Sequence, residues 1–133
     1  MKIDGQCHCG AISYVAEIDP DLTVICHCND CQALTGTAFR VTARAQRDHL
    51  TITGQPVIYE KIAESGAKRF MHFCGTCGSP LFSNGEGAHS NVWGIRWGGI
   101  RQRDELKPTR QIWRQSAPPW VCAFEDAPAS ARE

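Results

Sequence analysis

The sequence predicts a single, mostly β domain. Three observations carry that reading. Short runs rich in β-branched and aromatic residues recur between Gly, Pro and Asp punctuation. No stretch sustains the apolar periodicity of a long helix. Seven of the eight cysteines gather in three tight clusters, Cys7-His8-Cys9, Cys26-His27-Cys28-Asn29-Asp30-Cys31 and Cys74-Gly75-Thr76-Cys77, which count as four plus three. At 133 residues the chain is long enough for one core of modest size.

Residues 12–18, centred on Tyr14 and Val15, predict a first strand that Asp19-Pro20-Asp21 breaks. Residues 23–28 predict a second strand that delivers cysteines at its end. Residues 29–34 predict one helical turn stopped by Gly36. Extended structure resumes over 39–43 and over 50–53, ending at Gly54. Residues 57–62 and 68–73 flank Glu64-Ser65-Gly66, the pattern of a hairpin. Residues 79–82 and 92–97 are further strands, with Asn84-Gly85-Glu86-Gly87 as a loop between them, and 112–114 a short late one. The domain is placed at residues 1–125, and the Ala- and Pro-containing segment 126–133 is read as a flexible tail.

Fourteen Lys and Arg balance fourteen Asp and Glu. No broad positive field exists to draw the chain to nucleic acid or an acidic membrane, apart from a local patch around Arg101 and Arg103. No apolar run reaches membrane-spanning length. The first six residues lack the apolar stretch of a secretion signal, so the expected location is the cytoplasm. There, clustered cysteines bind metal more often than they form disulfides. A redox role for Cys74 and Cys77 would leave the other five clustered cysteines unexplained.

In an extended strand, residues two apart share a face. Cys7 and Cys9 can therefore aim at one metal while His8 turns away, and His27 turns away from Cys26 and Cys28 in the same manner. Cys74-Gly75-Thr76-Cys77-Gly78 has the spacing of a zinc knuckle and needs two more ligands. Cys7 and Cys9 are the simplest partners, closing a four-cysteine structural site that joins the N-terminus to the middle of the chain. Cys26, Cys28 and Cys31 are local to one another and have no evident fourth ligand. His72 or Asp30 could close that site, or water could. Three thiolates on Zn²⁺ leave a net charge of about −1, which activates water weakly but suits an incoming thiol, a soft ligand. The expected chemistry is thiol-dependent rather than hydrolytic. Cys122, alone near the end, reads as a small buried apolar residue.

The ordered blocks Gly5-Gln6-Cys7-His8-Cys9-Gly10-Ala11, Cys26 to Gln32 followed by Thr35-Gly36, and Phe73 to Leu81 resemble the glutathione-dependent formaldehyde-activating enzyme family, which also contains centromere protein V. Weaker similarity continues through Trp97-Gly98-Gly99-Ile100, Leu106-Lys107-Pro108 and Pro119-Trp120. The resemblance implies a β-tent fold stapled by metal, with two zinc ions per chain. It implies that Cys7, Cys9, Cys74 and Cys77 hold a structural zinc, and that Cys26, Cys28 and Cys31 hold a second, open one. The implied activity is a carbon–sulfur lyase reaction joining glutathione to formaldehyde, as in S-(hydroxymethyl)glutathione synthase. A proton donor must quench the alkoxide, with His72, His27 and water as candidates, and Arg40, Arg44, Arg69 and Arg96 are candidate partners for glutathione carboxylates. The alternatives are a non-catalytic zinc-stabilised thiol carrier or a protein-interaction module.

Overall fold

The computed structural model describes residues 1–132. Its strands are β1 (Lys2–Gln6), β2 (Ser13–Glu17), β3 (Val24–Cys26), β4 (Arg40–Gln46), β5 (Leu50–Thr53), β6 (Val57–Ile62), β7 (Lys68–Phe73), β8 (Pro80–Gly85), β9 (Val92–Arg96) and β10 (Arg110–Ile112). One α-helix, α1 (Asn29–Thr35), joins β3 to β4. The strands form a three-stranded sheet, β1-β2-β5, and a seven-stranded sheet, β10-β3-β4-β9-β8-β7-β6. All pairings are antiparallel except β10 with β3.

The two sheets share one core. Ile3, Tyr14, Ala16 and Leu50 of the small sheet pack with Ala43, Ala45, Leu81, Phe82, Trp93 and Ile95 of the large one. The Tyr14 and Phe82 rings meet edge to face at 5.1 Å between centroids. Alternation decides which side chains serve this core. In β4, Ala43 and Ala45 are buried, while Arg40, Thr42 and Arg44 share the opposite face. In β9, Trp93 and Ile95 enter the core, while Gly94 and Arg96 stand opposite. That second face of the large sheet is the floor of the functional cleft.

Several expectations are corrected here. β1 was not anticipated, because its buried positions are Ile3 and Gly5 and glycine signals a turn. A Cβ on Gly5 would stand 2.3 Å from the Gly99 carbonyl oxygen, so the close approach of β1 to that segment needs glycine. Asn84 and Gly85 continue β8 rather than opening a loop. Cys122 is exposed, accepting from Arg114 Nη2 at 3.4 Å, instead of packing as a buried residue. Beyond the buried Val121, residues 122–132 are all exposed; Glu133, the end of the expected tail, lies outside the described residues. Arg101 and Arg103 make no free basic patch: Arg101 pairs with Asp4 at 3.1 Å and Arg103 lies over the Trp97 ring. Among the described residues no helix is long and apolar enough to cross a membrane.

Candidate metal centres and the adjoining cleft

Two cysteine groups converge. The Sγ atoms of Cys7, Cys9, Cys74 and Cys77 all lie within 4.8 Å of one another, as do those of Cys26, Cys28 and Cys31. Sulfurs placed tetrahedrally about 2.3 Å from a metal would stand about 3.8 Å apart. Cys7 and Cys9 are 3.7 Å apart, and Cys9 and Cys74 are 3.8 Å apart. The four-cysteine group therefore fits a zinc-sized ion. All eight cysteines are free thiols.

The first group gathers on two turns. Cys7 and Cys9 were expected on an extended strand. They lie instead on the β1–β2 connection, where the Gly10 N–H donates to the Cys7 carbonyl at 3.1 Å and Gly10 takes φ +82°. On the β7–β8 connection Gly78, at φ +76°, donates to the Cys74 carbonyl at 2.8 Å. Backbone donors also reach the sulfurs: Ile12 N–H to Cys7 at 3.3 Å and Thr76 N–H to Cys74 at 3.4 Å. Hydrogen bonds of this kind favour the thiolate, the form that binds metal. Burial pushes Cys7 upward, but its donors from Ile12, Cys9 and Cys74 outweigh that and leave it below the ordinary thiol value. The Ser79 hydroxyl, 3.2 Å from Cys77 Sγ, leads in lowering that thiol to about 5.

The second group lies where β3 turns into α1. Cys26 ends the strand, Cys28 is the N-cap of the helix, and Cys31 sits in its first turn. Cys28 Sγ accepts the Cys31 N–H at 3.3 Å. Cys26 is lowered chiefly by its hydrogen bond with Cys31, and Cys31 is raised by the same bond. Metal binding would require both as thiolates. Among the described residues no fourth His, Cys, Asp or Glu joins this group. Asp30 neither joins it nor caps the helix; its carboxylate pairs with Lys61 Nζ at 2.6 Å.

The three cysteines line a cleft of about 710 Å³ on the large sheet. Arg40, Thr42, Arg44, Arg69, Met71 and Arg96 form much of its floor. Gly94 keeps that floor open, since a Cβ there would lie 2.7 Å from Thr42 Cγ2 and 2.8 Å from Ser83 Oγ. A smaller chamber of about 360 Å³, bordered by Leu34, Tyr59, Phe73 and Phe82, shares Arg40, Met71 and Arg96 with the cleft. Burial pushes the Arg96 guanidinium down to about 9, with the like charge of Arg40 adding to it, so it stays cationic at neutral pH.

The two expected histidines do not line the cleft. His27 is buried, its Nε2 2.8 Å from Gln111 Oε1 and its ring beside Phe39. His72 packs on the core side against Phe82 and Trp93 and borders the smaller chamber. Its burial lowers its basicity. Its Nε2 stands 2.8 Å from Asn84 Oδ1, and Asn84 does line the cleft. Sequence reasoning missed His89, an exposed histidine at the cleft, because it lies in an unremarkable loop far from any cysteine in sequence.

Residues 2–116 match a family model described as “Glutathione-dependent formaldehyde-activating enzyme”. A crystal structure of a Rhodobacter sphaeroides protein is similar in fold, with a TM-score of 0.60 and 22% sequence identity over 81% of this chain and 98% of that one. No curated protein matches the chain.

Proposed function

Because the chain belongs to the glutathione-dependent formaldehyde-activating enzyme family, we propose that it is a zinc-dependent carbon–sulfur lyase that joins glutathione to an aldehyde such as formaldehyde. The observation that carries this reading is the Cys26, Cys28 and Cys31 group, three convergent sulfurs on the cleft wall with no fourth side-chain ligand among the described residues. Two zinc ions per chain follow: a structural one at Cys7, Cys9, Cys74 and Cys77, and an open one at the three-cysteine group. Zinc at the open site would accept a thiol and keep it deprotonated near neutral pH. Eight free cysteines suit a reducing compartment such as the cytoplasm.

The chain's own residues supply the charge. Arg40 stands directly across the β3–β4 ladder from Cys26, and Arg96 pairs with Thr42 two positions along β4. Their cations favour an anionic sulfur at this wall. The thiol releases its proton on binding, its sulfur forms the S–C bond to the carbonyl carbon, and the C=O π pair moves to oxygen. That oxygen takes up one proton, so the proton released first is balanced and no other reagent is consumed. Water or His89 delivers this proton at the cleft. His72 acts through Asn84: an amide oxygen can only accept, so the His72 Nε2 hydrogen fixes the Asn84 side chain. His27 holds the segment between Cys26 and Cys28 through Gln111.

Adduct exchange followed by NMR with metal-loaded protein, glutathione and formaldehyde tests the reading. The expected result is exchange faster than in buffer at several thiol concentrations. Exchange no faster than buffer rejects the enzyme, and thiol binding without acceleration assigns a carrier role instead.

A further inference from the structure

Two cations in the cleft floor are buried without a carboxylate to match them. Arg40 is 5% exposed and Arg96 9% exposed. Arg40 Nε is buried with no hydrogen-bond partner, and its Nη1 reaches only Met71 Sδ, at 3.7 Å. Arg96 donates to Thr42 Oγ1 at 2.8 Å and to the same sulfur at 3.4 Å. A thioether is a weak acceptor, and a hydroxyl carries no charge. No ion pair among the described residues involves either guanidinium. Of the two carboxylates lining the cleft, Asp30 is engaged by Lys61.

Three thiolates around a divalent ion would leave about one negative charge, and a bound thiolate a second. Yet among the described residues no oxygen acceptor meets the Arg40 guanidinium, whose Nε has no partner and whose Nη1 reaches only a thioether. Directly paired residues of an antiparallel ladder place their Cβ atoms about 5 Å apart, so Arg40 lies beside whatever Cys26 helps to hold. Both guanidiniums line the cleft that the three cysteines line, so an oxygen held by them lies near an atom reacting at the cysteines. Glutathione's own carboxylates are separated from its sulfur by a peptide bond or more, and Arg44 and Arg69 in the same cleft are further cations for them.

We propose that Arg40 and Arg96 form a carboxylate subsite beside the three cysteines, filled by a short acid whose carboxylate adjoins its reacting atom. With glutathione as the thiol, that acid is the carbonyl partner, a small oxo acid. This rests on the reading of the cleft as a thiol–aldehyde site. A short mercapto acid carries the same chemistry on the sulfur side, and the experiment separates the two.

Calorimetric titrations of metal-loaded protein compare glyoxylate with formaldehyde, and mercaptoacetate with 2-mercaptoethanol. The acid in at least one pair should bind about tenfold tighter or better, as a charge-assisted bidentate contact gives. Preference in the first pair places the carboxylate on the carbonyl partner, and in the second pair on the thiol. The preference should vanish in Arg40→Met and Arg96→Met and persist in weakened form in Arg96→Lys, with metal content unchanged throughout. Equal binding of acid and neutral partners by the unaltered protein overturns the subsite. So does a preference that survives both Met variants, or a pair whose replacement only lowers the melting temperature. If glyoxylate binds through the arginines while no thiol binds, the subsite stands and the thiol–aldehyde reading falls. If neutral pairs react faster than in buffer and neither acid is preferred, the reverse holds.

Discussion

Tyr14 carries a hydroxyl that is buried with no hydrogen-bond partner, and burial, with the nearby Asp4 charge, pushes its ionisation upward. Its ring packs against Phe82, so the apolar part of the side chain is well placed while the polar tip is not. An unsatisfied buried hydroxyl costs about 1–3 kcal/mol. Tyr14→Phe keeps the ring contact and removes the cost, so thermal unfolding of the metal-loaded variant should show stability raised by about 1 kcal/mol. A lowered melting temperature would show that the hydroxyl is bonded after all. Single residues were unevenly legible in the sequence. The cysteines declared themselves because their spacing is itself a ligand pattern. Arg40, Arg44, Arg69 and Arg96 looked alike, since one-dimensional order does not say that Arg40 and Arg96 lose their solvent while sharing Met71.

At the scale of elements, α1 and the second cysteine group are one device. Cys28 is at once a sulfur of the group and the N-cap of the helix, and Gly36 closes the other end in a left-handed conformation, its N–H donating to Gln32 at 2.9 Å. Serine is among the best N-caps, and its hydroxyl can accept the Cys31 N–H in place of the sulfur. Cys28→Ser should therefore keep the helix and the melting temperature of the fold while metal analysis shows one equivalent fewer per chain. Cys28→Ala should lose the same metal and about 1 kcal/mol of stability besides, because the cap goes as well. Unchanged metal content in both variants would separate the helix cap from the metal site. The strands β5, β6 and β7 were readable to the residue because their β-branched or aromatic runs are bounded by turn signals. β1 and the end of β8 were hidden, because Gly5 and Gly85 are there for close contacts: a Cβ on Gly85 would stand 2.8 Å from both Arg69 Nη1 and His89 Cβ.

Across the whole molecule the four-cysteine group ties the two sheets together. Cys7 and Cys9 follow β1 of the small sheet, and Cys74 and Cys77 join β7 to β8 of the large one. The sequence showed that these pairs could meet, but not that they lock one sheet onto the other, because sheet membership depends on pairings far apart in the chain. Pinning such distant points together removes about 4 kcal/mol of chain entropy from the unfolded state, by the loop-closure relation for cross-links. The binding term is larger: structural zinc contributes about 10–16 kcal/mol in small domains. A chain of this length has a net stability of about 7–20 kcal/mol, so the two are comparable. The second group lies within one β3–α1 segment and closes no long loop, so its metal should matter far less to stability. Stepwise chelation followed by circular dichroism and metal analysis should therefore resolve two losses. The first equivalent should leave with the sheet signal intact, and the second should leave together with cooperative unfolding. Cys74→Ser, which alters a buried member of the four-cysteine group, should unfold under conditions where Cys28→Ser remains folded. A metal-free protein that melts within a few degrees of the loaded one would remove the staple from this account.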